Sequence, residues 1–105
     1  MTATEPRTWL YADGGRVADA IRILSTTTTL SEHVSVHEGD PLAVEVSGSV
    51  PFDLWGSGTQ SLWRLASSIT SYSDTVSLYE VMATLDRDNT RAVAAALHVL
   101  CGGAA

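Results

Sequence analysis

The apolar residues of this chain follow two different spacings, and the division between them constrains the fold more than any other feature. Between residues 32 and 47 they alternate. Val34 and Val36 share one face while His33, Ser35 and His37 share the other, and Leu42, Val44 and Val46 alternate with Ala43, Glu45 and Ser47. A period of two belongs to strands, and Gly39-Asp40-Pro41 between the runs makes the pair an antiparallel hairpin. Beyond residue 58 the spacing becomes three and four, with Leu62, Leu65, Ala66 and Ile69 along one side of a helix. Strands and helices in separate stretches predict an α+β fold, a small antiparallel sheet with one N-terminal and three C-terminal helices packed on it.

The other elements rest on local signals. Residues 1–7 are short, polar and broken by Pro6, and read as a loose arm ahead of a single domain over 8–102, with 103–105 as a tail. Residues 8–11 are a short strand candidate whose pairing with the hairpin stays open. Asp13-Gly14-Gly15 marks a turn, and Val17, Ala20, Ile21 and Leu24 form the stripe of a helix. That helix is expected to end near Ser25, because the four threonines at 26–29 lose side-chain freedom in a helix and favour extended backbone. Residues 48–58 hold Pro51 and three glycines around Phe52 and Trp55, and read as a loop that anchors itself through those two rings. Ser77-Leu78-Tyr79-Glu80 fits a capping box opening a helix with Leu78, Val81, Met82 and Leu85 as its apolar residues. Asp86 or Asp88 then caps a last helix, which carries Val93, Ala94, Leu97, Leu100 and Cys101 and stops at Gly102-Gly103.

Composition narrows the chemistry. The chain has no lysine: its six basic residues are Arg7, Arg16, Arg22, Arg64, Arg87 and Arg91. Schiff-base, phosphate-loop-lysine and lysine-base mechanisms are therefore closed to it. Twelve carboxylates give a formal charge of −6, which opposes direct binding of nucleic acid and suits either a solvated surface or a basic protein partner. At 105 residues the chain buries roughly two thirds of its unfolded surface and folds without staples. The lone Cys101 has no partner for an intrachain disulfide, so a reducing cytoplasm is the expected compartment. The longest nearly apolar run, 92–101, is interrupted by His98 and is about half of what a membrane span needs, so no membrane association is expected.

Each candidate for catalysis or metal binding has an ordinary explanation. His33 and His37 would chelate zinc if they lay on one helix face, but on a strand four residues cover about 13 Å and cannot share one tetrahedral ion. Gly56-Ser57-Gly58-Thr59-Gln60-Ser61 leads into a helix without the lysine of a phosphate loop. Asp86-Arg87-Asp88-Asn89 resembles the start of a calcium loop but lacks its later ligands. Cys101 follows an apolar run and reads as buried packing, an environment that raises a thiol pKa. The helix pair over 78–85 and 87–101 has too few basic residues for a DNA-reading helix-turn-helix. No catalytic residue, metal or cofactor is therefore expected, and a small enzyme built from His33, His37 or His98 with scattered acids stays as an alternative.

What remains is binding surface. Trp63 stands beside the Leu62 stripe and Arg64 follows it, so the two are expected to be partly exposed and to form, with Trp55 and Tyr72, a protein-binding patch. The last helix is apolar nearly all round, which full burial or a homodimer would satisfy. The stretch Gly56-Ser57-Gly58-Thr59-Gln60-Ser61-Leu62-Trp63-Arg64-Leu65-Ala66, followed by Leu85-Asp86-Arg87-Asp88-Asn89 and an Ala-rich helix, resembles short accessory proteins of phages and mobile elements of high-GC Gram-positive bacteria. The resemblance covers about residues 56–102. It implies a non-enzymatic factor that acts by binding a host or virion protein, with a self-associating structural component as the alternative.

Overall fold

A computed structural model describes residues 7–71 and 74–103. Three strands, β1 (Trp9–Ala12), β2 (Val34–His37) and β3 (Leu42–Val46), form one antiparallel sheet in the order β1-β3-β2. The hairpin pairs Val36 with Val44, and Leu10 of β1 lies opposite Val44 on the other side. The pairing left open by the sequence is thus made by β1 on β3. Since β3 runs between β1 and β2 and antiparallel to both, the first two strands are parallel, and the helix joining them completes a split β-α-β unit.

That helix, α1 (Gly15–Thr27), starts at Gly15 with Gly14 as its N-cap, both at positive φ (60° and 98°), where a Cβ would strain the backbone. It runs past Ser25 through Thr26 and Thr27, which corrects the expected extended stretch at 26–29. The threonines offset their poor helix propensity by donating Oγ1 hydrogen bonds one turn back, Thr26 to the Arg22 carbonyl and Thr27 to the Ile23 carbonyl, each at 2.6 Å. Only Thr28 is extended; its Oγ1 donates to the Leu24 carbonyl and accepts from the Leu30 N–H, opening a 3-10 turn at Thr29–Glu32.

Three further helices follow: α2 (Ser57–Thr70), α3 (Leu78–Thr84) and α4 (Arg87–Leu100). Ser77 accepts from the Glu80 N–H at 3.3 Å and Asp86 from the Asn89 N–H at 2.8 Å, the two caps expected from the sequence. The α1 and α2 helices lie against the sheet, α4 packs along α1, and α3 packs on α2. Leu10, Ala12, Leu42 and Val44 from the sheet meet Ile21, Leu24, Leu62, Leu65 and Ala66 in one core. A polar knot ties the 3-10 turn to two helices: Thr29 Oγ1 is 2.6 Å from Thr59 Oγ1, and Asn89 donates to Thr29 Oγ1 while its Oδ1 accepts from the Thr29 N–H.

Candidate protein-binding surface

Two of the four residues of the expected patch, Trp55 and Trp63, are buried. Trp63 is 1 % exposed, because α2 packs against β1, α1 and α3 together, so more than one stripe of it is inside. Its indole N–H is satisfied by the Arg7 carbonyl at 2.9 Å, and its ring meets Trp55 edge-on at 6.5 Å. Trp55 is buried too. It anchors the loop over 48–56 as expected, donating to the Val50 carbonyl at 3.0 Å and stacking on His33 at 4.6 Å. Arg64 is exposed, but its guanidinium sits 5.3 Å over the Phe52 ring. Tyr72 lies outside the described residues. Arg7, placed by sequence at the end of a loose arm, is held by its carbonyl on Trp63 and by an ion pair with Asp74, which lowers the Asp74 pKa chiefly by hydrogen bonding.

The other singled-out residues are likewise dispersed. His33 belongs to the Trp55 stack, while His37 lies on the far face of the sheet, 3.2 Å by Nε2 from Glu45 Oε1. Among the described residues no group of three His, Cys, Asp or Glu is placed to hold a metal ion. The α4 helix is two-sided: Ala92, Val93, Ala96 and Val99 are buried, whereas Arg91, Ala94, Ala95 and His98 face out. Cys101, expected in packing, is exposed beyond the end of that helix. A shallow cleft of about 450 Å³ opens between Arg7, Val46 and the loop residues Val50, Pro51, Phe52 and Asp53, with the Arg7 guanidinium already engaged by Asp74.

The exposed rings lie elsewhere. One face of the sheet is closed by α1 and α2; the other carries Trp9 and Tyr11 from β1, Ala43 and Glu45 from β3, and Ser35 and His37 from β2. Trp9 is 39 % and Tyr11 56 % exposed. Their rings are within 5° of parallel with centroids 6.1 Å apart, and His37 continues the row 5.6 Å from Trp9. The small Ala43 between β1 and β2 leaves room for Trp9 to reach across β3. Beside the row Ser35 Oγ donates to Ser47 Oγ at 2.7 Å. The Thr8 carbonyl accepts from the Val46 N–H, and antiparallel alternation then turns the backbone groups of Trp9 and Tyr11 away from β3. No hydrogen bond to those groups is made among the described residues.

The sequence did carry a signal for this face. Thr8-Trp9-Leu10-Tyr11-Ala12 alternates, which sets both rings on one side of a strand, but the alternation does not say which side the helices cover. A second apolar surface lies on α3, where Leu78, Tyr79 and Met82 are exposed and only Val81 is buried; Leu78 and Met82 are therefore not the core contacts that their spacing suggested. Among the described residues no helix is long and apolar enough to cross a membrane. Comparison with protein-family models, with curated proteins and with solved structures finds no match.

Proposed function

We propose that the protein is a non-enzymatic accessory factor of a reducing, intracellular compartment, and that it acts by binding another protein through the open face of its sheet. The observation that carries this reading is the row Tyr11-Trp9-His37, two of whose members are large rings left in solvent by a domain that buries Trp55 and Trp63. Rigid, partly exposed aromatic side chains cost little entropy to immobilise and supply interface anchors. On the open face His37 and Glu45 stand 3.2 Å apart, but the Ser35 hydroxyl on the same face donates to Ser47, so no nucleophile is joined to that pair. The role class agrees with the resemblance to accessory proteins of phages and mobile elements, whose action is on host or virion proteins.

A photo-cross-linking amino acid at Ala43, on the open face, and another at Ala94, on the exposed side of α4, test this in lysate of a high-GC Gram-positive bacterium. One stoichiometric adduct from position 43, lost on Trp9→Ala, is the expected result. Adducts from position 94 alone would remove the open face from consideration. Self-association is the second reading, favoured by the exposed Leu78, Tyr79 and Met82 of α3. A mass in sedimentation that rises with concentration, and returns to 11.1 kDa in Met82→Glu, would establish it.

A further inference from the structure

We infer that the occupant of the open sheet face is an extended, cationic peptide segment with two arginine or lysine side chains two residues apart, a proposal that rests on reading this face as the binding surface. Charge complementarity comes first. Glu45 stands on the face itself, and the register that pairs Ala12 with Leu42 brings Asp13 and Asp40, both exposed, to the same end of the sheet as Tyr11. No arginine lies on this face among the described residues. Arg7 is paired with Asp74 and Arg22 with Asp19 and Glu38; Arg64 covers Phe52, Arg16 lies against Gly102, and Arg87 and Arg91 belong to α4. Exposed aromatic rings bordered by carboxylates and free of guanidinium attract cations, and the carboxylates repel a second copy of this acidic chain or a phosphate backbone.

Spacing gives the second argument. The Trp9 and Tyr11 centroids are 6.1 Å apart, close to the roughly 6.6 Å between same-face side chains two residues apart in an extended strand. A segment lying beside β1 would present its same-face side chains at the spacing of the two rings. Its backbone would also meet the outward N–H and C=O groups of Trp9 and Tyr11, a mode of recognition by strand addition. The flat guanidinium stacks better than an ammonium, so arginine should be preferred over lysine.

The test is fluorescence anisotropy of a labelled octapeptide alternating arginine with threonine, titrated with the intact protein. Specific binding is expected, weakened at least ten-fold by Trp9→Ala and by Tyr11→Ala separately and about three-fold by Glu45→Gln, with melting temperatures showing each variant folded. A peptide of the same composition with its arginines in one block should bind at least five-fold more weakly. Equal affinity for the two peptides, or affinity that ignores both ring deletions, would mean diffuse charge attraction and overturn the inference. So would tighter binding of a thymidine oligonucleotide, or a dimer that Trp9→Ala dissociates. If the octapeptide fails to bind while position 43 still yields its adduct, the face binds a partner of other chemistry and only this inference falls; if both fail, the open-face reading falls with it.

Discussion

Ala43 and Val44 are neighbours on β3 and opposites in environment. Val44 is wholly buried between Leu10 and Val36 beneath α1 and α2, while Ala43 lies half-buried under a row of aromatic rings that nothing in the described structure covers. Small domains usually close one face of an antiparallel sheet and give the other to polar side chains. Here the second face keeps Trp9 and Tyr11. The contrast teaches that the large rings of this chain divide by use: Trp55 and Trp63 fill the core, where hydrogen bonds satisfy their N–H groups, and Trp9 and Tyr11 form a surface.

The largest test of that division is Trp63→Ala. Removing a fully buried ring that also satisfies the Arg7 carbonyl should cost about 3–5 kcal/mol in urea denaturation. A cost below about 1 kcal/mol would return Trp63 to the surface. On the sheet, Val44→Ala should cost about 2–3 kcal/mol, whereas Glu45→Ala, one residue on and facing out, should stay within about 0.5 kcal/mol.

The closed side is packed tightly even where no side chain is present. A Cβ on Gly58, in the first turn of α2, would lie 2.7 Å from the Thr84 carbonyl oxygen at the end of α3. Gly58→Ala should therefore destabilise by about 1–3 kcal/mol, although the same change in an open helix gains up to about 1 kcal/mol. A stabilised variant would show that α3 can shift on α2 and that the layers are looser than the contact implies.

On the open side, Trp9→Ala should cost only about 1 kcal/mol, the value of ring stacking with Tyr11 and His37. A cooperative transition of unchanged steepness in denaturant would show the rest of the fold intact. Loss comparable to Trp63→Ala would erase the distinction between the faces.

How much of this was legible in the sequence depended on how local each cause is. Hairpin alternation, the Leu62 stripe and the Ser77 and Asp86 caps involve residues a few positions apart, and all are seen where expected. Thr26 and Thr27 were misjudged because propensity counts lost rotamers and not the Oγ1 bonds that offset them. The burial of Trp63 involves partners distant in sequence, the Arg7 carbonyl and Trp55 of the loop over 48–56, which the periodicity of α2 alone does not report. Trp9 and Tyr11 fall in the strand candidate at 8–11, but only the packing of α1 and α2 decides which side of that strand stays open.

The smallest expected effect lies at the rim between the faces, where Arg22 of α1 donates two hydrogen bonds to Glu38 just beyond β2, at 2.9 and 2.8 Å, and one to Asp19. Hydrogen bonding to Arg22 holds the Glu38 carboxyl below its ordinary pKa. A carboxyl whose folded-state pKa is depressed stabilises the fold above its unfolded value, about 4.3, and loses that contribution as pH falls through the lower folded value. Both partners are well exposed, so solvent screens the pair and its contribution is slight. Arg22→Gln should therefore melt slightly below the parent at pH 6 in low salt, with the difference closing as the pH falls below 4 and also in 1 M salt. A difference that persisted in acid would mean that the Arg22 stem packs against the covered side of the sheet and that its charge matters less than its carbons.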